Sequence, residues 1–331
     1  MDVISVCRPE PEGASWADFR GFTMNEWLFT PIRFHNTFSA GHSPVLRIRP
    51  GDRVITRTID ARGFDWENRK VAEAPNPQTG PFHVEGAEPG DVLVVHIGKI
   101  EPNRATAWSS TLLAPYAADP AFLRHEGLKE QAEEEWNIDR QKRTAWIDSR
   151  NIRPGRIEVP LKPMLGCVAT APGSGQAIST STPDRFGGNM DYNGMVAGVK
   201  LLLPVYEPGA LLFLGDGHGR QGDGEVVGNA LEISMDVEFA VDLITQKKIQ
   251  WPRLENDEYI VVLGSASPLL QALQHATTEM QRWLMADYGC DERGSSLLMG
   301  HLLEYDIANV VDPHFTVAAK MRKSCLPSSG R

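Results

Sequence analysis

Cysteine is scarce in this sequence, and the few cysteines do not cluster. The 331 residues contain four, Cys7, Cys167, Cys290 and Cys325, which lie far apart and form no CxxC pair. That spacing excludes a zinc ribbon and gives no sign of a disulfide framework. Because it fits a reducing compartment, we expect a cytoplasmic protein.

Long apolar runs and an excess of basic residues are also missing. No apolar stretch approaches the roughly 20 residues that a membrane-spanning helix needs. The amino terminus lacks the basic segment followed by an apolar one that marks a signal peptide. Acidic residues outnumber basic ones, 43 to 33, and no Lys/Arg-rich run occurs. We therefore expect neither nucleic acid nor a membrane as a partner.

Several familiar catalytic signatures are absent as well. The sequence has no GxSxG nucleophile elbow, no GxxxxGK[ST] phosphate loop and no HExxH helix. The segment that begins at Asp216 is not an EF-hand, because Arg220 and Gln221 stand where a calcium ligand and a glycine are required. The function must therefore be read from polar clusters that match none of these motifs.

What the chain does contain is a repeated pattern of strand, Pro-Gly turn and strand. The pattern occurs in residues 45–60, 84–97 and 201–214, where the turns are flanked by Val, Ile, Leu and Thr. Asp52 and Asp91 follow two of the turns, and we expect their carboxylates to accept bonds from nearby backbone amides. Short strands separated by frequent Gly and Pro turns predict a mainly β or α+β protein.

Two helices are predicted near the carboxyl end. Ser267 suits the N-cap and Pro268 the first position of a helix that Gly289 can end, and its apolar residues recur with helical spacing. A second helix is expected over about 296–309. Both helices are interpreted as scaffold.

The chain is predicted to have two parts that share one active site. Residues 1–165 form an N-terminal β-rich part, and residues 166–331 form a C-terminal α+β part. Within the first part, residues 105–150 stand apart, because they are rich in charge and lack glycine from position 128 onward. We expect a charged helical insertion there, with a face toward solvent.

The most distinctive segment is GDGHGRQGDGE at 215–225, which follows an apolar run that predicts a buried strand. Glycine relaxes the steric limits on φ, so such a loop can curl and direct several side chains inward. The polar side chains suit a hard or borderline cation or a polar substrate; they are Asp216, His218, Gln221, Asp223 and Glu225.

Two further polar clusters lie at predicted strand ends. Asn189 and Asp191 follow a Gly-Gly bend and are two positions apart, so in an extended chain they face the same side, although an Asx-type turn explains them equally well. The amino-terminal cluster supplies imidazoles and carboxylates, which a catalytic zinc site requires; its members are His35, His42, Asp60, His83 and Glu85.

Together these segments resemble the acetamidase/formamidase family. The matching pieces occur in the family's order: PVLRIRPGDRV at 44–54, GPFHVEGAEPGD at 80–91, GGNMD at 187–191, and the segment from Pro204 to Glu225. The resemblance implies a β-rich fold with β-sandwich and barrel-like parts, homo-oligomers and a divalent metal. It also implies hydrolysis of small aliphatic amides, of the formamide or acetamide type, to carboxylate and ammonia. Asn36 departs from the family pattern, in which a tryptophan commonly follows the histidine that His35 matches.

Nine residues are expected in the site. The resemblance implies seven of them, and the polar clusters themselves add Asn189 and Gln221. The expected metal ligands are His35, Asp60, Asp216 and His218. The expected catalytic residues are Glu225, Glu85 and Asp191, and the expected substrate-binding residues are Asn189 and Gln221. The ion, expected to be Zn²⁺ with Ca²⁺ or Mg²⁺ as alternatives, would activate a water, and a carboxylate would pass its proton to the leaving nitrogen.

Three rival interpretations stay open from the sequence alone. One is that the chain has the amidase fold but acts on another C–N bond, because fold does not fix function. Cys167 could be the nucleophile of an amidase, although its apolar surroundings are typical of a buried cysteine. The chain could instead be a non-catalytic, Ca²⁺-dependent β-sandwich binding module, although imidazole argues against calcium, which prefers oxygen ligands.

Overall fold

The computed structural model describes residues 4–5, 25–126, 132–153 and 155–327. We predicted no signal peptide at the amino terminus, and that segment, apart from Ile4 and Ser5, lies outside the described residues. Residues 127–131 of the predicted insertion also lie outside them. Three helices are described: α1 (Pro120–Glu126), α2 (Leu269–Asp287) and α3 (Glu292–Leu302). The strands are β1 (Ile4–Ser5), β2 (Glu26–Leu28), β3 (Phe34–His35), β4 (Thr37–Ser39), β5 (Leu46–Ile48), β6 (Arg53–Arg57), β7 (Gln78–Val84), β8 (Val92–Pro102), β9 (Thr106–Ser110), β10 (Glu133–Asp139), β11 (Thr144–Asp148), β12 (Arg156–Pro160), β13 (Met164–Ala169), β14 (Ala177–Ser179), β15 (Gly187–Asn189), β16 (Lys200–Pro204), β17 (Leu212–His218), β18 (Met235–Ile244), β19 (Arg253–Glu255), β20 (Tyr259–Ala266), β21 (Glu304–Asn309) and β22 (Phe315–Arg322).

Two large sheets carry the fold. A nine-stranded sheet has the order β2-β6-β18-β8-β16-β19-β20-β22-β21, and a six-stranded sheet has the order β15-β13-β17-β7-β3, with β5 also paired to β7. A five-stranded sheet, β1-β12-β11-β10-β9, and the pair β14-β4 complete the described strands. The sheets are curled, and the prediction of a mainly β fold with a few C-terminal helices is confirmed.

The main core lies between the two large sheets. Strands such as β6 alternate buried and exposed side chains, which is the pattern of a sheet with one covered face. Phe82 of β7 meets Phe239 of β18 edge to face, with ring centroids 5.2 Å apart, and both are fully buried. This face-to-face contact of two sheets is the packing of a β-sandwich.

The Pro-Gly turns behave as predicted. Asp52 accepts a bond from the backbone amide of Arg49 at 2.9 Å, and Asp91 accepts one from the amide of Glu88 at 3.0 Å. Each carboxylate therefore closes its own turn, because it satisfies an amide that the strand ladder leaves unpaired.

Helix α2 covers the β20–β22 end of the nine-stranded sheet. It buries Met280, Trp283 and Leu284, and it approaches β20 so closely that a Cβ on Gly264 would lie within 2.5 Å of helix backbone atoms. The first predicted helix is present, but its predicted start is wrong: Pro268, which is extended, is the N-cap in place of Ser267, and no side chain caps the helix. The second, α3, begins and ends earlier than predicted, because residues 304–309 pair with β22 as β21.

The predicted insertion at 105–150 is mostly strand. Helix α1 does occur there, but the charged residues Glu133–Asp139 form β10, which pairs with β9 and β11 on either side. The prediction of a charged helical insertion is therefore wrong for this stretch, because strand pairing with both neighbours overrides the helical propensity of glutamate. The division into two parts stays a prediction, and both large sheets combine strands from before and after residue 165. Among the described residues, no helix is long and apolar enough to span a membrane.

Candidate active site

The glycine-rich segment places two side chains on a strand rather than on a loop. Strand β17 continues to His218, so Asp216 and His218, two positions apart, project from the same face. Both are almost completely buried. Asp216 has a φ of +57°, a left-handed conformation that short acidic side chains tolerate better than most. The strand thus carries a carboxylate and an imidazole directly into the interior.

Gly166 of the neighbouring strand β13 leaves the space in which these side chains meet. Its chain neighbours Leu165 and Cys167 pair with Gly217 and Gly215, so Gly166 lies opposite Asp216. A Cβ on Gly166 would lie within 2.8 Å of Asp191 Oδ1, Asp216 Oδ2 and His218 Cε1. The absence of a side chain at this position is therefore what lets three polar side chains converge.

Gln221 fixes the tautomer of His218. Its Nε2 donates to the carbonyl oxygens of Asp191, at 2.6 Å, and Ala308, at 3.1 Å. Carbonyls only accept, so Gln221 Oε1 must face His218 Nδ1, which lies 2.9 Å away. Nδ1 is then the nitrogen that carries the hydrogen, and in a neutral ring Nε2 presents its lone pair to the centre of the group.

His218 Nε2 faces two carboxylates, Glu232 Oε1 at 3.1 Å and Asp216 Oδ1 at 3.4 Å. Burial alone would lower the pKa of His218, but the charges of Glu232 and Asp216 outweigh it and raise that pKa well above its ordinary value. A lone pair aimed at two carboxylates needs a positive charge between them. Either a proton or a metal ion can supply it.

Three more carboxylates surround the same point. Burial raises the pKa of Asp191 and of Glu225 well above the usual range, and neighbouring acidic groups add to the effect. Burial also raises the pKa of Asp312 to about 7, although bonds to Asp191 and Asn189 oppose the shift. These buried acids lack enough compensating positive charge, because His218 is the one imidazole that the described residues place in their groups.

This donor set fits a divalent cation. Two overlapping groups have ligand atoms within 4.8 Å of one another: Asp191, Asp216 and His218, and then His218, Glu225 and Glu232. Asp191 Oδ1, His218 Nε2 and Glu232 Oε2 are buried without a hydrogen-bond partner among the described residues. Carboxylate oxygens with one imidazole nitrogen are ligands that zinc accepts. Together these residues could bind a metal ion. We call them the buried acidic group: Asp191, Asp216, His218, Glu225 and Glu232.

A cavity of about 190 Å³ opens beside the buried acidic group. Glu225 belongs to both the group and the cavity wall, so it is the carboxylate of the group that reaches the cavity. Gln221, which bonds His218, also lines the wall. A larger surface groove of about 470 Å³ runs along α2, past Trp251 and His275, and shares no residue with the group. The smaller cavity is therefore the candidate substrate site, because it adjoins reactive side chains.

The comparisons with known proteins identify the family. A family model described as the Acetamidase/Formamidase family matches residues 29–179 and 174–272. The chain belongs to the acetamidase/formamidase family. An acetamidase from Yersinia enterocolitica shares the fold with a TM-score of 0.81 and 31% identity, over 92% of this chain and 94% of that one.

Two curated members of the acetamidase/formamidase family are more distant in sequence. The formamidase of Methylophilus methylotrophus is 24% identical over 64% of this chain, and the acetamidase of Mycolicibacterium smegmatis is 28% identical over 50% of it. These matches cover 64% and 53% of the relatives' own lengths. The chain thus spans less than two thirds of either relative.

Among the residues expected from the family resemblance, Asp191, Asp216, His218 and Glu225 lie together in the buried acidic group. Three others lie in neither metal-ligand group of the described residues. Asp60 accepts bonds from Arg104 Nη2 at 2.5 Å and Trp108 Nε1 at 3.2 Å. Glu85 pairs with exposed Arg49 at 2.8 Å. His35 stacks on His42 with ring centroids 3.9 Å apart, and its burial, with the charges of His42 and Arg33, lowers its pKa to about 4.

Both expected substrate-binding amides are committed to neighbours. Asn189 Nδ2 donates to Asp191 Oδ2 at 2.8 Å and to Asp312 Oδ2 at 2.9 Å, and Gln221 Nε2 donates to two carbonyls, as described above. An amide nitrogen has two hydrogens. In this arrangement, neither residue has a hydrogen left for a substrate oxygen, and both hold members of the buried acidic group in place.

Cys167 lies in the interior of β13. Its thiol is fully buried and donates a weak bond to the carbonyl of Thr180 at 3.7 Å. Burial raises the pKa of Cys167 well above 9.0, and the charges of Asp216 and Asp191 raise it further. Because the thiolate is the nucleophilic form, the structure argues against the Cys167 mechanism.

Sequence reasoning missed Glu232, Asp312 and Gly166. Glu232 has one signal that could have revealed it: it is a charged residue inside the apolar run from Ala230 to Ile233. Asp312 and Gly166 have no such local signal, because long-range pairing brings them to the site.

Proposed function

We propose that this chain hydrolyses a small aliphatic amide to a carboxylate and ammonia, with a divalent cation held by the buried acidic group. The observation that carries the proposal is the lone pair of His218 Nε2, aimed among carboxylates next to an apolar cavity. Membership of the acetamidase/formamidase family supports the reaction type.

In this proposal, Asp191, Asp216 and His218 hold the cation, and Glu232, whose Oε1 faces the same His218 Nε2, is a further candidate ligand. When bound, the cation supplies Lewis acidity toward a carbonyl oxygen and toward water. We favour Zn²⁺, because the central ligand is an imidazole, whereas Ca²⁺ prefers all-oxygen shells and Mg²⁺ retains several waters. The same preference disfavours a calcium-dependent binding module.

Glu225 is the proposed proton carrier. It lines the cavity, where water and substrate have access, whereas Glu85 lies at the surface in its pair with Arg49. Glu225 would take a proton from the attacking water and deliver it to the leaving nitrogen, since an amine leaves readily only after protonation. Asn189 and Gln221 would keep the carboxylates and the imidazole oriented during these steps.

The test is ammonia release from formamide, acetamide and longer amides, measured together with the metal content of the purified protein. His218→Ala should lower kcat by several orders of magnitude and reduce the bound metal. His301→Ala, an exposed histidine on α3, is the matched control and should change neither. Cys167→Ala should retain turnover, because the thiol is buried and Cys167 does not line the cavity.

Two results would contradict the proposal. One is full activity in a preparation that elemental analysis finds free of metal. The other is an inactive Cys167→Ala variant beside an active His218→Ala variant, compared at equal concentrations of folded protein.

We also propose a cytoplasmic homo-oligomer. The three cysteines in the described part of the chain are free, which fits a reducing compartment. Leu28 and Ile32 are 80% and 87% exposed, and exposed apolar side chains favour contact with another subunit. Light scattering of the purified protein measures the oligomeric state, and a monomer at micromolar concentration would contradict this proposal.

A further inference from the structure

The cavity beside Glu225 is larger than formamide or acetamide requires. Its volume is about 190 Å³, whereas a protein cavity of about 150 Å³ already admits benzene. Six of its wall residues are apolar: Trp136, Val159, Val226, Val227, Ala230 and Leu231. A one- or two-carbon amide would leave much of this apolar surface in contact with water.

The polar side chains of the wall already hold hydrogen bonds to neighbouring groups. Arg220 Nη1 donates to the carbonyl of Pro160 at 3.0 Å. Asn229 Oδ1 accepts from the backbone amide of Ser110 at 2.7 Å, and its Nδ2 donates to the Ser110 hydroxyl at 2.9 Å. The Ser109 hydroxyl donates to the carbonyl of Ser110 at 3.2 Å and accepts from Trp136 Nε1 at 3.0 Å. These bonds fix the indole in the wall and satisfy its polar edge, so the cavity offers a substrate mainly hydrocarbon contact.

Only one part of the wall belongs to the buried acidic group. Glu225 marks that part, so the scissile amide must lie there to react. The acyl chain would then extend along Trp136 and Val226. A negatively charged acyl chain would lose its hydration against the apolar wall near the carboxylate of Glu225, and Arg220, the basic residue of the wall, already donates to the carbonyl of Pro160. A charged acyl chain is therefore disfavoured.

We infer that the preferred substrate is a primary amide with a neutral, apolar acyl group of about five or six carbon atoms, the size that a cavity able to admit benzene accommodates. The inference rests on the proposed amidase function and adds the acyl group to it. Each methylene transferred from water to the cavity should raise kcat/KM about fourfold. Hexanamide should therefore exceed acetamide by about 200-fold, and octanamide should bring no further gain, because the cavity is then full.

The experiment measures ammonia release from straight-chain amides of one to eight carbons with the purified, metal-containing protein. Val226→Trp fills the cavity from its wall, and it should reduce the ratio of kcat/KM for hexanamide over acetamide by about 100-fold. Val71→Trp is the matched control: Val71 is similarly exposed, at 47% against 41% for Val226, and it does not line the cavity. That variant should keep the wild-type ratio.

The possible results separate the two proposals. The inference would be overturned, but not the amidase function, if the protein hydrolyses acetamide and kcat/KM does not rise toward hexanamide. An unchanged ratio of kcat/KM in Val226→Trp would have the same meaning. A higher kcat/KM for an amide with a carboxylate on its acyl chain would also overturn it. Failure to release ammonia from every amide of the series would overturn the proposed function, and the inference with it.

Discussion

Gly166→Ala is the substitution that probes the assembly of the buried acidic group most selectively. Gly166 lies within β13, and its φ is outside the left-handed region, so alanine suits the backbone. The added methyl would lie within 2.8 Å of atoms of Asp191, Asp216 and His218, whereas ordinary contact begins at 3.4 Å. Each of the three side chains must therefore retreat by about 0.6 Å or more.

The expected effect follows from that displacement. Catalytic and metal-binding groups need their productive geometry within about 0.5 Å, and an error of about 1 Å can lower the rate about 100-fold. We expect kcat/KM for the best amide to fall by roughly 100-fold, with a matching loss of metal affinity. Overpacking of this kind typically costs about 1–3 kcal/mol of stability, so the variant should stay folded.

The assay compares Gly166→Ala with Gly222→Ala, whose Cβ would meet no atom within 4 Å. Metal affinity is measured by competition with a chromophoric chelator, and the folded fraction by circular dichroism. Gly222→Ala should bind metal as the wild type does. Wild-type metal affinity and turnover in folded Gly166→Ala would refute the reasoning, because three displaced ligands cannot bind as well as three undisturbed ones.

Three further substitutions test other parts of the account. Asp60→Asn leaves Arg104 buried without its carboxylate, so the free energy of unfolding, measured by urea titration, should fall by about 3–5 kcal/mol. The metal content per folded chain should not change. Loss of metal at unchanged stability would instead make Asp60 a ligand. Gly264→Ala should destabilise the chain by about 1–3 kcal/mol, because the methyl meets the backbone of α2, whereas Gly300→Ala, with open space around it, should be neutral or stabilising. Burial and the charge of Lys200 lower the pKa of His96 from 6.5 to about 4. Between these two pH values, His96 is protonated in the unfolded chain but not in the folded chain. Stability should then fall as the pH falls from 6.5 toward 4, and less steeply in His96→Gln; equal slopes in urea titrations of the two proteins would contradict this.

Local spacing was enough to predict the parts of the site that neighbouring residues build. Asp216 and His218 are two positions apart, as are Asn189 and Asp191, and in extended chain each pair faces one side. The turn carboxylates of Asp52 and Asp91 were predictable for the same reason, since their partners lie three residues away.

Long-range pairing explains what the sequence could not reveal. Asp60 follows strand β6 and resembles a metal ligand, but Arg104, 44 residues further on, takes its carboxylate. Glu232 and Asp312 enter the site through contacts with distant strands. Residues 304–309 continue a helical pattern in the sequence, yet they pair as β21 because β22 offers an open edge.

The central claim is that a divalent cation binds at the lone pair of His218 Nε2. Anomalous diffraction at the zinc edge, from crystals grown with Zn²⁺, locates the ion directly. The account predicts a peak within about 2.0–2.2 Å of His218 Nε2 and of carboxylate oxygens of Asp216 and Asp191 or Glu232. A peak at His35 or Asp60 instead, or no peak at this group in crystals of a fully active preparation, would contradict it.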